Sequence, residues 1–323
     1  LTTGQLMPPD PAKLHTRATR VAPDPNADPS RWQAFLAQTF PDAETREYVQ
    51  RLVGHSALGE VRAHVLPFAH GSGGNGKGVL FESIHGVMGG YAGSAPAGFL
   101  MANHYQQHAT VLVAATATST AAADESLAES AELADLQGRR FVIASEINPG
   151  DKFDEAKVKA LTGGDTIKAR FMRQDFFEFT PTHHLWLMGN DQPDVESGGN
   201  AFWRRLRLIP FTHEVPEDQR VDDLQGILTR EHGPAVLQWV IEGAVKYLRD
   251  GLREPAAVRA ATSAYAESVD TVGRFLEERA ELEAGAVVPA AAVRNAYDDW
   301  CRQAGERPVQ GRAFTVQLAR HGV

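Results

Sequence analysis

Short apolar runs separated by polar stretches set the rhythm of the middle of this chain. Val65-Leu66-Pro67-Phe68, Phe141-Val142-Ile143-Ala144, Leu185-Trp186-Leu187-Met188 and Leu206-Arg207-Leu208-Ile209 are each about strand length. Such runs predict strands buried on both faces of an α/β sheet. On either side the period is helical. Ser30 reads as an N-cap, with Trp32, Phe35 and Leu36 on one face behind it, and a second helix runs from Asp42 through Tyr48, Val49 and Leu52. Beyond Phe211, the positions Val236, Leu237, Val240, Ile241, Ala244, Val245 and Leu248 make one helical stripe. The last segment holds three helical stretches around Tyr265, Trp300 and Phe314, enough for a small helical or winged-helix module. The pattern divides the chain into a proline-rich extended arm at 1–29, a helical lead-in domain at 30–62, a central block at 63–254 and a C-terminal module at 255–323. Thr110 to Ala123 uses only Thr, Ala, Val, Leu and Ser, and reads as a low-complexity surface insertion or a weak strand.

Length and composition narrow the class. The 323 residues suit two or three domains, and 43% hydrophobic with 23% charged residues are ordinary globular values. No apolar run approaches the roughly 20 residues of a membrane-spanning helix, and mean hydropathy is −0.30. One cysteine, Cys301, allows neither an internal disulfide nor a cysteine-based zinc site. A reducing cytoplasm is the compartment this implies. Residue 1 is Leu and no signal segment follows, so the chain reads as a fragment of something longer. A net charge of −9 argues against a protein that coats nucleic acid through overall charge. It leaves room for a local basic element.

The strongest chemical signal is Gly71-Ser72-Gly73-Gly74-Asn75-Gly76-Lys77-Gly78, placed after a strand-like run and before an apolar helix face. Glycines let backbone N–H groups turn inward around phosphate, and a helix N-terminus adds its positive dipole. Lys77 would reach the β- and γ-phosphates. Gly71, Gly73 and Gly76 also satisfy the dinucleotide fingerprint, which wants an acid about twenty residues on. None occurs between Glu82 and Asp124, so that reading fails. Gly78 stands where a hydroxyl normally holds Mg²⁺, so the metal must be held by other groups.

Further pieces follow in order. The run at 141–144 ends in Ser145-Glu146, and a carboxylate at a strand's carboxyl end sits beside bound phosphates in an α/β sheet. Glu146 would orient and deprotonate the attacking water, and Ser145 would take a Mg²⁺ water. The third strand ends in Gly189-Asn190, with Asn190 suited to sense the γ-phosphate. Arg204 and Arg205 offer a guanidinium to a transferring phosphoryl group, and one supplied by a neighbouring subunit would make hydrolysis depend on assembly. Between these lies a basic finger, Thr166 to Gln174, with Lys168, Arg170 and Arg173, no acid, and Phe171 and Met172 for apolar contact. Basic and aromatic groups together suit a single-stranded backbone and its bases.

The order of parts resembles a superfamily 3 helicase, and more closely the phage and plasmid primase-helicase family related to the poxvirus primase-helicase. The residues that carry the likeness are GSGGNGKG at 71–78, FVIASE at 141–146, DEAKVKALTGGDTIKAR at 154–170, LMGN at 187–190 and FWRRLRLIPF at 202–211. What the resemblance implies is an α/β, AAA+-like P-loop NTPase core that binds ATP with Mg²⁺ and works as a ring, commonly a hexamer, on single-stranded or forked DNA. It also implies a primase domain upstream of residue 1 and work in a bacterial host's cytoplasm for a mobile element. Lys77 falls at the P-loop lysine, Glu146 at the Walker B acid, Asn190 at the sensor, and Lys168 and Arg170 in the DNA-contacting hairpin. Arg204 and Arg205 fall at the arginine-finger position. If they lie on a strand, only one faces the neighbour, and Arg205 is the expected one. Two other readings stay open: a nucleotide-dependent DNA-binding ring or loader that hydrolyses little, and a small-molecule P-loop kinase. The second leaves the basic finger and the C-terminal module without a role.

Overall fold

The computed structural model describes residues 7, 10, 12, 16–102, 130–196, 198–283, 285–309 and 311–323. The low-complexity stretch Thr110 to Ala123 lies outside them, as does most of the arm before residue 16. The strands are β1 Leu66–His70, β2 Ala92–Ser94, β3 Phe141–Ala144, β4 Ile167–Ala169, β5 Phe177–Phe179, β6 His184–Gly189 and β7 Leu206–Pro210. Five of them form one parallel sheet in the order β2-β3-β6-β1-β7, and β4 and β5 form a separate antiparallel hairpin. The four runs read as strands are all in the sheet. The fifth, β2, is Ala-Gly-Ser and carries no apolar signal to find it by.

The helices are α1 Ser30–Thr39, α2 Ala43–Leu58, α3 Lys77–Met88, α4 Glu155–Leu161, α5 Asn200–Trp203, α6 Leu224–Arg230 and α7 Gly233–Asp250. They continue with α8 Ala256–Ser268, α9 Thr271–Arg279, α10 Ala290–Ala304 and α11 Gly311–Arg320. Successive strand residues face opposite sides of a sheet, and here they supply two cores. Ala69, Phe141, Ile143, Trp186 and Ile209 join α1, α2, α3, α6 and α7. Leu66, Phe68, Val142, Ala144, Leu185, Leu187, Leu206 and Leu208 join residues of α4, α5 and α8 on the other face. The predicted helical lead-in therefore shares the first core with the sheet. Helix α2 is capped at both ends: the Asp42 carboxylate accepts from Thr45 N at 2.9 Å, and Gly59 closes it in the left-handed conformation. Ser30 opens α1 rather than capping it, and Asp28 accepts from its N–H and hydroxyl.

Helix α2 lies against α7 with almost no space between backbones. A Cβ on Gly54 would come within 2.0 Å of Ala244 N, and one on Gly243 within 2.2 Å of Gln50 O. The predicted arm also has a fixed part. Arg20 N donates to Val87 O at 3.0 Å, Gly90 N donates to Ala18 O at 2.9 Å, and Arg17 reaches Gly90 O and Gln137 O. Residues 17–20 thus lie along the turn that ends α3.

The C-terminal part differs from expectation in two ways. Among the described residues it has four helices rather than three, and α9, short and with few apolar residues, leaves little signal in the pattern. And α8 belongs to the sheet: Tyr265 is buried in the second core, and Leu208 N donates to Thr262 Oγ1 at 3.0 Å. A separate small core around Val272, Phe275, Tyr297, Trp300 and Phe314 joins α9, α10 and α11. No strand accompanies them among the described residues. No described helix is long and apolar enough to cross a membrane.

Candidate functional site

The glycine-rich segment is the turn from β1 into α3, and α3 starts at Lys77 itself. Gly74 and Gly76 both have positive φ, at 73° and 83°, a conformation that costs other residues a Cβ clash. At Gly76 a Cβ would also meet Thr39 Oγ1 at 2.7 Å, so the lead-in helix α1 presses directly on the turn. The Lys77 side chain folds back into the loop. Its ammonium donates to Gly71 O at 2.6 Å, Ser72 O at 2.9 Å and Asn75 Oδ1 at 3.2 Å, and burial lowers its pKa.

The chain after β7 holds this loop from outside. Asn75 Nδ2 donates to Phe211 O at 3.0 Å, Ser72 Oγ donates to Glu214 Oε1 at 2.6 Å, and Val215 N donates to Gly74 O at 3.0 Å. Nothing in the residue pattern marked 211–215 for this task, because a backbone carbonyl, a backbone N–H and one acid carry it.

An open cleft of about 660 Å³ lies at the carboxyl ends of β1, β3 and β6, which are neighbours in the sheet. Gly73, Gly74, Asn75, Gly76, Lys77 and Gly78 line one side, and Ser145, Glu146 and Asn190 the other. Gly71 and Ser72 stand behind it, supplying the carbonyls that hold Lys77. Three predicted elements, distant in sequence, thus meet at one place. Glu146 follows β3 at φ 64°, a left-handed backbone in a residue with a long side chain, and such outliers cluster where a side chain must be aimed. Two polar lining residues escaped the sequence reading. Asp191 follows directly on Asn190, and the pair Asn-Asp was the available signal; Gln225 on α6 had none. His70, at the end of β1, is held below its usual pKa by burial and by the charge of Lys77.

Arg204 and Arg205 do not sit on a strand. They form the turn between α5 and β7, so strand alternation does not choose between them. Arg205 is 8% exposed, with Nε donating to Thr162 Oγ1 at 3.1 Å and Nη1 to Ala201 O at 2.7 Å. The Arg205 guanidinium is thus engaged within its own chain. Arg204 is the exposed member of the pair.

The basic finger is the β4–β5 hairpin, and it stands outside the cleft. Ile167 and Ala169 are buried while Lys168 between them is exposed. Lys168 and Arg170 both lie over the ring of Phe176, at 5.2 and 4.7 Å, and Phe176 is 54% exposed. Met172 and Arg173 are exposed at the tip. Register places Glu178 opposite Lys168, so the hairpin is less positive than residues 166–174 alone suggest.

Comparison with known proteins places these parts. Residues 1–41 match the family described as D5 N terminal like, and residues 69–205 match a family of unknown function, DUF5906. "Putative helicase L207/L206" of Acanthamoeba polyphaga mimivirus is 30% identical over 177 residues, covering 55% of this chain and 16% of that protein. "Putative helicase 022R" of frog virus 3 is 25% identical over 289 residues, covering 83% of this chain and 27% of that protein. These likenesses support a superfamily 3 primase-helicase reading of the chain. The chain spans between 16% and 27% of the length of these two relatives. Its fold is also that of the C-terminal region of NrS-1, with a TM-score of 0.57 at 14% identity over 80% of this chain and 58% of that one.

Proposed function

We propose that this primase-helicase segment is an ATP-driven DNA motor, a helicase or translocase that works as a ring of copies, most simply a hexamer. One observation carries the reading: the glycine-rich loop, Glu146 and Asn190 line a single cleft at the carboxyl ends of three adjacent parallel strands. In open α/β sheets this is where ligands bind. The loop N–H groups and the α3 N-terminus receive the phosphates, and Lys77 exchanges its carbonyl partners for phosphate oxygens. Glu146 takes the proton of the attacking water, and Asn190 orients that water against the γ-phosphate.

The donors around the cleft fit Mg²⁺, which prefers oxygen ligands and keeps several waters. Ser145, Glu146 and Asp191 supply a hydroxyl and two carboxylates, while Gly78 supplies no side chain at all. Bound there, the metal would neutralise charge on the phosphates. Arg204, from a neighbouring copy, completes the site across the subunit boundary. Lys168, Arg170 and Arg173 hold one DNA strand, with Phe171, Met172 and Phe176 against its bases. The setting is replication of a mobile element such as a phage, prophage or plasmid in its host's cytoplasm, and the viral relatives extend this to viral replicons.

Gly78 favours a second reading, a nucleotide-dependent DNA-binding ring that hydrolyses little, since it removes one metal ligand. Steady-state turnover separates the two. ATP hydrolysis is measured with and without single-stranded DNA, on a sample whose mass is determined in parallel, for wild type and Glu146→Gln. The motor reading expects DNA-stimulated turnover, lowered by about 10²–10⁴ in Glu146→Gln with nucleotide binding kept. Binding without turnover in the wild type would leave only the loader. A monomer with full activity would end the ring assembly.

A further inference from the structure

Arg205 stands at a junction. Its carbonyl accepts from Leu66 N at 2.8 Å, at the start of the strand that leads into the glycine-rich loop. One residue before it, Arg204 is exposed on the same turn. The Arg205 guanidinium crosses to Thr162, the residue that ends α4. Thr162 is 5% exposed, and its hydroxyl is fixed by donating to Val158 O at 2.6 Å while it accepts from Arg205. After Thr162 come Gly163, Gly164 and the β4–β5 hairpin.

A second tie runs parallel to the first. Gly198 N donates to Glu155 Oε1 at 3.0 Å, joining the chain before α5 to the start of α4. Between the two ties the Phe153 and Phe202 rings pack at 5.1 Å. The turn that carries Arg204 and the helix that carries the hairpin are therefore bound at both ends and packed in the middle. A buried guanidinium is costly to leave unpaired, so displacement of the turn must either carry Thr162 with it or break the bond. Lysine has no Nε–H of this geometry and could not make the same link.

We propose that Arg205 is a positioning residue that couples the nucleotide contact made by Arg204 to the DNA-binding hairpin, through its hydrogen bond to Thr162. The proposal rests on the motor reading above. It assigns Arg205 a role within its own subunit, and it predicts that ATP and DNA affinities depend on each other through one hydroxyl.

Coupling of this kind is a ratio and is reciprocal: DNA changes nucleotide affinity by the same factor as nucleotide changes DNA affinity. The test measures the affinity of a slowly hydrolysed ATP analogue with and without single-stranded DNA, using the assembled full chain. Thr162→Val should leave each affinity unchanged when measured alone, and should lower the coupling factor by roughly 2–30-fold. Thr162→Ser keeps the hydroxyl and should keep the coupling. Arg205→Lys should lower the coupling as Thr162→Val does, and the double variant should go no further. An unchanged factor in Thr162→Val overturns the proposal, as does an equal fall in Thr162→Ser. Near-normal ATP hydrolysis in Lys77→Ala would overturn the motor reading itself. Normal, Lys77-dependent hydrolysis with an unaltered factor would overturn only the coupling.

Discussion

The ammonium of Lys77 donates to the carbonyl oxygen of Gly71 at 2.6 Å. The lysine thus engages the loop's own acceptors, and phosphate must replace them. The exchange is a trade of neutral acceptors for charged ones, which form stronger hydrogen bonds. Lys77→Ala is expected to abolish nucleotide binding or turnover, since it removes the loop's cation. Turnover assays and nucleotide titration check this, and near-normal hydrolysis would show that the loop does not hold the phosphates.

The exposed position of Arg204 gives a mixing experiment. Arg204→Ala subunits should bind ATP and fail to hydrolyse it. Lys77→Ala subunits bind little ATP and still carry Arg204, so mixing the two should restore some activity at interfaces that join an intact loop to an intact arginine. A finger contributes about 10³–10⁵ in rate, enough for a minority of restored interfaces to register. A labelled-subunit control shows exchange. Exchange without recovery would place Arg204 outside the neighbour's site, once doping of wild-type rings has shown that single defective interfaces are tolerated.

Lys168 and Arg170 converge on Phe176, and DNA phosphates would meet them there. Replacing both with Ala should weaken single-stranded DNA binding and reduce the log–log salt slope by roughly 0.7 for each phosphate that is no longer neutralised. The check is a series of binding isotherms across salt concentration. An identical slope would make the hairpin a solvated loop whose charge Glu178 already offsets.

Buried histidines predict a pH dependence of stability. His55 and His184 pack edge-on at 3.7 Å between ring centroids, and His183 precedes His184 in the chain. Burial lowers all three from 6.5, His55 to about 3 and His183 to about 4, while His184 falls well below. Below pH 6.5 the unfolded chain takes up protons that the folded chain refuses, so stability is full above that pH and falls as pH drops toward 4. Each fully buried histidine contributes a loss of about 2 kcal/mol between pH 6.5 and 5. Denaturant midpoints at pH 7.5, 6.5 and 5 measure it, and a flat profile would mean that the histidines are hydrated.

Much of the sheet was legible because a strand buried on both faces leaves an unbroken apolar run. The loop at 71–78, Glu146 and Asn190 were legible because their residue types are unusual at strand ends and turns. What escaped carries its role through shape or backbone. Ala92-Gly93-Ser94 forms an edge strand without an apolar residue larger than alanine, and Phe211 and Val215 secure the glycine loop through their main-chain atoms.

The sequence by itself determined the main strands and helices, the glycine-rich turn and the basic hairpin, since each is written in a contiguous stretch whose local propensities agree. Which parts meet was decided only by tertiary structure. Arg204 and Arg205 are adjacent, alike in charge and equal in sequence logic. The packing of α5 against α4 turns one inward to Thr162 and leaves the other exposed. The strand order β3-β6-β1 likewise brings Glu146, Asn190 and Lys77 to one cleft, because long-range pairing, which no local pattern encodes, sets which strand ends are neighbours.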